Sequence, residues 1–88
     1  ENILFLQKAE ERRREEIAFF SNPVETVFFL KGSESFVVST EKEIFFFSHP
    51  QSEGVLLGMK DKGSHLRHFS KGSRLFWKKE GTWWELQL

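Results

Sequence analysis

Residues 27–47 read VFFLKGSESFVVSTEKEIFFF and contain three short apolar runs separated by turn-forming residues. Short runs rich in Val, Ile and Phe that are bounded by Gly, Ser and charged residues are typical of β-strands. We place Gly32-Ser33 and Glu41-Lys42 at the central positions of two tight turns, which makes the three strands antiparallel. The predicted opposed pairs are Phe29 with Phe36, Val27 with Val38, and Val38 with Phe45.

These three strands are apolar on both faces. One face would carry Val27, Phe29, Phe36, Val38, Phe45 and Phe47. The other face would carry Phe28, Leu30, Val37, Ile44 and Phe46. A sheet with one face in water alternates apolar and polar residues, which this segment does not do. Full burial of a large apolar side chain contributes about 1.5–3 kcal/mol, so both faces require cover. We identify Phe28, Leu30, Ile44 and Phe46 as a candidate apolar interface.

The remainder of the chain predicts further strands and one helix. The predicted strands span residues 24–30, 35–40, 43–48, 55–60, 65–70, 74–79 and 82–88. Upstream, two apolar runs at 3–6 and 17–20 flank a charged stretch that indicates a solvated helix over residues 1–22. Ion pairs one turn apart, such as Glu10 with Arg14, support this helix, and Pro23 ends it. Residues 3–6 also fit an additional strand.

We therefore predict a single α+β domain. Its N-terminal helix, residues 1–22, would precede an antiparallel meander of six to seven strands, residues 23–88, that forms a small partial barrel or a bent sheet. The second apolar face could be covered by barrel closure together with the helix. A symmetric homodimer and a docked partner segment are the alternatives.

Composition excludes several classes of protein. The chain has 88 residues, of which 39% are hydrophobic, and it contains no Cys, so disulfides, thiolate metal sites and Cys nucleophiles are excluded. Its apolar runs of four residues are far shorter than the roughly 20 residues that a bilayer span requires. We therefore expect no transmembrane segment and an intracellular, soluble protein.

Charge is unevenly distributed although the formal net charge is zero. Residues 54–88 contain 7 basic and 3 acidic side chains, and aromatic residues are interleaved with the basic ones. A turn at Glu80-Gly81 would pair Trp77 with Trp84 and Leu75 with Leu86. The side chains predicted to face the core are Leu75, Trp77, Trp84, Leu86 and Leu88. The predicted partner-binding or ligand-binding residues are Arg67, Lys71, Arg74, Phe76, Lys78 and Trp83.

Catalytic and metal-binding patterns are weak. His65 and His68 are three residues apart, and on a strand such residues point to opposite faces. No Gly-x-Ser-x-Gly nucleophile motif occurs, and no carboxylate pair stands apart from charged, solvated segments. We predict that the protein is not an enzyme and that it requires neither a metal nor another cofactor.

Residues 37–48, VVSTEKEIFFFS, resemble the central hairpin of GRAM and related pleckstrin-like domains. The shared features are a strand, a Thr before the turn, and a second strand that ends in aromatic residues. The resemblance implies a pleckstrin-like incomplete barrel as one permitted topology, and an SH3-like barrel is equally permitted. Glu43 stands where the family usually has a basic residue, so no function is transferred.

Two functions remain open from the sequence. The two apolar faces of the central strands favour a protein-interaction or oligomerisation module that binds a protein partner or a second copy of itself. The basic, aromatic C-terminal hairpin favours binding of single-stranded nucleic acid or another polyanion, because cations attract phosphates and exposed aromatic rings stack on bases. Acidic lipid headgroups would use the same cations without requiring Trp83.

Overall fold

The computed structural model describes residues 3–7, 14–30, 32–69, 71 and 73–88, and this described part contains no helix. Its strands form three antiparallel sheets, with the orders β1-β2, β3-β4-β5-β6 and β7-β8-β9. The strands are β1 (Ile3–Gln7), β2 (Arg14–Phe19), β3 (Val24–Phe29), β4 (Phe36–Thr40), β5 (Glu43–Phe47), β6 (Val55–Met59), β7 (Arg67–Phe69), β8 (Arg74–Lys79) and β9 (Thr82–Gln87).

The predicted α+β class and the helix over residues 1–22 are wrong for the described residues of that segment. β1 pairs with β2, with Ile3 opposite Phe19 and Gln7 opposite Arg14, which confirms the strand alternative for residues 3–6. Residues 1–2 and 8–13 of the predicted helix lie outside the described residues. Continuous apolar runs suit a strand as well as a helix, and ion pairs along a helix contribute only about 0.2–0.5 kcal/mol each. Local sequence therefore does not decide between the two, and the segment packs against the central sheet as a hairpin.

The register of the central sheet, β3 to β6, follows its turns. Phe29 lies opposite Phe36, and Val38 lies opposite both Val27 and Phe45, so the three predicted pairs are confirmed. At the turn between β4 and β5, the Thr40 hydroxyl accepts hydrogen bonds from the backbone N–H groups of Lys42 (3.3 Å) and Glu43 (3.0 Å). This side-chain cap holds the turn in the position that the register requires.

Each face of the central sheet packs against another sheet of the same chain. On one face, Phe36, Val38 and Phe47 form a cluster with Phe20, and Leu4 of the N-terminal hairpin packs against it. The opposite face carries Val37 and Ile44, which contact side chains of the C-terminal sheet, β7 to β9. Their buried partners there and in the preceding loop are Leu66, Leu75 and Trp77.

The predicted single meander in a partial barrel or bent sheet is also wrong, because strands β3 to β9 divide into two separate antiparallel sheets that do not close into a barrel. A closed barrel buries only the inner face of its strands, whereas this central sheet is apolar on both sides. Two separate layers pack against the two faces, and Phe29 remains 66% exposed. The C-terminal sheet packs closely on the central sheet at Gly58, where an added β-carbon would lie 3.0 Å from Cζ2 of Trp77. The register shift between β5 and β6 occurs beside this glycine.

Lys60 connects the central sheet to the loop that leads into β7. Its side chain is completely buried, and its Nζ donates hydrogen bonds to three acceptors from different segments. These are Glu25 Oε1 at 2.7 Å, the Glu41 carbonyl at 3.1 Å and the Ser64 carbonyl at 2.7 Å. An ammonium group has three donors, so its hydrogen-bonding capacity is filled. Lys60 therefore stabilises the junction between the two sheets.

Candidate functional site

The pairing of β7, β8 and β9 separates the C-terminal sheet into an inner and an outer face. The predicted pairs Trp77 with Trp84 and Leu75 with Leu86 are confirmed. Because side chains alternate along a strand and opposed residues share a face, the residues between them project outward. The outer pairs are Arg67 with Phe76, Phe69 with Arg74, Phe76 with Glu85, and Lys78 with Trp83.

Four outward side chains enclose a shallow groove of about 370 Å³. These residues, which we call the aromatic groove, are Arg67, Phe69, Phe76 and Trp83. The rings of Phe69 and Phe76 meet edge to face, with centroids 5.3 Å apart. Phe69 is 48% exposed and Trp83 is 50% exposed. Half-exposed aromatic rings on a paired strand provide flat surfaces on which another ring can stack.

Cations lie beside these rings. Lys78 Nζ is 5.4 Å and Arg67 Cζ is 5.8 Å from the Trp83 ring centroid, and Arg74 Cζ is 5.7 Å from that of Phe76. These distances are within cation–π range. The outer face also contains the carboxylate of Glu85, 3.8 Å from Arg74 Nη1, and both groups of this ion pair are about half exposed. The outer face is therefore basic, and the charge of one of its three cations, Arg74, is partly neutralised by Glu85.

The structure brings together five of the six predicted binding residues. Arg67, Arg74, Phe76, Lys78 and Trp83 all belong to the outer face. Lys71 instead lies in the turn between β7 and β8, where it is exposed and does not line the groove. Phe69 also lines the groove, although it is not among the predicted binding residues. The available signal was its spacing of two from Arg67, which places both on one face of a strand.

The candidate apolar interface lies against the chain itself. Ile44 is fully buried in the cluster between the central and C-terminal sheets, and Phe28 and Phe46 pack against that cluster. Leu30 follows β3 and is half-buried. Three of the four residues therefore pack in or against the cluster that the central sheet shares with the C-terminal sheet.

Two of the predicted core residues are more exposed than expected. Leu75 and Trp77 are buried, but Trp84 is 51% exposed and Leu88 is 40% exposed. The physical reason is position, since β9 is the edge strand of its sheet and β8 holds the buried residues of the shared cluster.

Asp61 fixes the turn that joins β8 to β9. Glu80 and Gly81 both have positive φ, at 52° and 75°, and their backbone N–H groups donate to the Asp61 carboxylate over 2.8 and 3.0 Å. A turn with two positive φ angles favours the right-handed twist of a hairpin, although Glu is a strained residue there. The bonds from Gly81 and Glu80 lower the pKa of the Asp61 carboxyl, aided by the positive charge of Lys78.

We expect this carboxylate to make the free energy of unfolding decrease as the solution becomes acidic. Because the folded-state pKa is lowered, the stabilisation is complete above the ordinary carboxyl pKa and is lost as pH falls through the folded-state pKa. Urea unfolding of the parent and of Asp61→Asn across this range measures the effect. The variant should be less stable at neutral pH, and the difference should shrink in acid. A difference independent of pH would contradict the assignment.

Within the described ranges, no group of three or more His, Asp or Glu side chains is positioned to hold a metal ion. His68 points inward, and its ring packs 5.3 Å from that of Phe28. His65 is exposed in the loop before β7.

The chain matches no protein-family model, and no match is found among curated proteins or solved structures. Among the residues that the structure describes, no helix has the length and apolar character needed to cross a membrane.

Proposed function

We propose that this chain binds single-stranded nucleic acid through the outer face of its C-terminal sheet. The observation that carries the proposal is the convergence of Phe69, Phe76 and Trp83 with three cations on one accessible face. Exposed rings stack on unpaired bases of any sequence, and Lys or Arg neutralises the adjoining phosphates. The expected ligand is therefore a flexible single strand recognised with little sequence preference.

The second candidate function is a protein-interaction or oligomerisation module, which the sequence predicts from the two apolar faces of the central sheet. Both apolar faces of the central sheet are packed against layers of the same chain. What favours self-association now is the edge strand β6, where Val55, Leu56 and Met59 are 57%, 50% and 41% exposed and no residue is charged. An apolar edge strand is a template for another strand. Self-association through β6 is therefore the alternative outcome of the binding test.

The proposal is tested by titrating the protein into a fluorescein-labelled ten-nucleotide uridylate at low and physiological salt. We expect binding at micromolar concentrations, quenching of Trp emission, and weakening as salt rises. Absence of binding at low salt would overturn the proposal. Sedimentation of the same samples then distinguishes a monomer from a concentration-dependent dimer, which would support the β6 alternative.

Trp83 should account for much of the affinity. We expect Trp83→Ala to weaken binding by about 1–3 kcal/mol, or about 5- to 150-fold, because one stacking surface is lost. Trp83→Phe retains a ring and should retain most of the affinity. Anisotropy titrations of both variants provide the measurement. If Trp83→Ala binds the uridylate as tightly as the parent, stacking on Trp83 is not the basis of recognition.

Lys78 should contribute through charge. Replacement by Gln is expected to reduce the slope of log affinity against log salt by about 0.7, the value for one lost phosphate contact with a single strand. Lys62→Gln is the matched control, because Lys62 is an exposed lysine whose Nζ lies 3.0 Å from Glu41 and which does not line the aromatic groove. Equal slopes for the two variants would contradict a phosphate contact at Lys78.

A further inference from the structure

Trp84 is an exposed aromatic residue that the aromatic groove does not use. It follows Trp83 in β9 and therefore projects from the opposite face of the sheet. Although it is paired with the buried Trp77, its side chain is 51% exposed. It lines a cleft of about 180 Å³. The cleft is lined by Leu57, Gly58, Met59, Trp77, Lys79 and Trp84.

The chemistry of this cleft parallels that of the groove. Lys79 Nζ lies 5.9 Å from the Trp84 ring centroid, as Lys78 Nζ lies 5.4 Å from that of Trp83. Met59 adds an exposed apolar side chain to the lining. Each face of β9 thus carries a half-exposed Trp with a cation beside its ring. That combination of a stacking surface and a phosphate partner suits one nucleotide on each side.

β9 is an edge strand, so no other strand of its sheet separates the two tryptophans on the outer side. Side chains on opposite faces of a strand are centred about 10 Å apart, judged from the spacing of packed sheets. A flexible polynucleotide can cross that distance around the edge. The backbone N–H groups that an edge strand leaves unpaired can donate to the phosphates that pass it.

We infer that the single strand bound in the aromatic groove continues around the free edge of β9 and stacks a second base on Trp84. This inference rests on the proposed function and deepens it, since it assigns a second subsite and a path between the two. Occupation of both subsites requires a strand long enough to reach around β9. The affinity gained from Trp84 must therefore depend on the length of the ligand.

The test compares fluorescein-labelled uridylates of two and ten nucleotides, because a dinucleotide cannot reach both faces. We expect Trp84→Ala to bind the dinucleotide within twofold of the parent and to bind the ten-nucleotide strand about 5- to 150-fold more weakly. Trp84→Phe should restore most of the loss. Trp83→Ala should weaken binding of both lengths. Near-ultraviolet circular dichroism and thermal unfolding verify that each variant remains folded.

The outcomes separate the inference from the proposed function. If Trp84→Ala binds both lengths like the parent while Trp83→Ala weakens both, the second subsite is excluded and the groove stands. If Trp84→Ala weakens binding of both ligands equally, the second subsite is also excluded, because Trp84 would then act within the first subsite or through the fold. If the parent protein binds neither length, both proposals fail.

Discussion

Replacing Trp77 by alanine is expected to lower the free energy of unfolding by about 3–5 kcal/mol, the cost typical of deleting a buried Trp side chain. Trp77 is 6% exposed and belongs to the cluster that joins the central and C-terminal sheets. Its ring also lies against Gly58, so the two sheets would lose a large contact area that includes the packing at this glycine. For a domain of marginal stability, this loss removes a large part of the total.

Trp83→Ala is the matched control for Trp77→Ala, because both remove an indole from the same hairpin. Trp83 is half exposed on the outer face, so its removal should change the unfolding free energy by less than about 1 kcal/mol. Chemical denaturation at neutral pH measures both variants. A comparable loss of stability in the two would mean that the outer face is structural, which would also weaken the argument for a binding role of Trp83.

Lys60→Met is expected to cost about 3 kcal/mol. Met keeps the apolar stem of the side chain, but it leaves the Glu41 and Ser64 carbonyls, both on half-buried residues, without the donor that Lys60 supplies; an unsatisfied buried group costs about 1–3 kcal/mol. Glu25 also loses its partner at 2.7 Å, although its side chain is 28% exposed and water compensates part of that loss. The expected effect is therefore lower than that of breaking a fully buried ion pair.

Lys62→Met provides the comparison for Lys60→Met. Its side chain is 73% exposed and its ion pair with Glu41 spans 3.0 Å, so its replacement should change stability by less than about 1 kcal/mol. Urea unfolding of both variants under the same conditions is the measurement. Equal stability of the two variants would show that the three hydrogen bonds of Lys60 do not stabilise the junction between the sheets.

Local turn chemistry made the registers of this protein predictable. Gly32-Ser33, Glu41-Lys42 and Glu80-Gly81 each placed a pair of strands so that the opposed residues could be named. A tight turn determines its register because a shift of one residue would exchange the two faces of a strand. The outer face of the C-terminal hairpin followed from the same reasoning. The register of this hairpin therefore predicts Phe76, Lys78 and Trp83 as neighbours on that face.

Contacts distant in sequence were not predictable in the same way. Nothing local to residues 1–22 distinguishes a helix from a hairpin, because its apolar runs at 3–6 and 17–20 suit either and the cluster around Phe36 that they cover lies elsewhere in the chain. The environment of Lys60 likewise depends on three segments that converge only in the folded state. The exposure of the Trp84 side chain likewise depends on its position in an edge strand of the C-terminal sheet.

The sequence by itself determined the seven strands from β3 to β9, their antiparallel register at the tight turns, and the need for cover on both faces of the central sheet. These properties depend on alternation and turn geometry, which act over a few residues. Only the tertiary structure decided that two further sheets supply the cover, that the barrel stays open, and that Trp84 remains exposed beside Lys79. The reason is that burial of apolar surface is non-directional, so the need for cover does not specify which segment provides it.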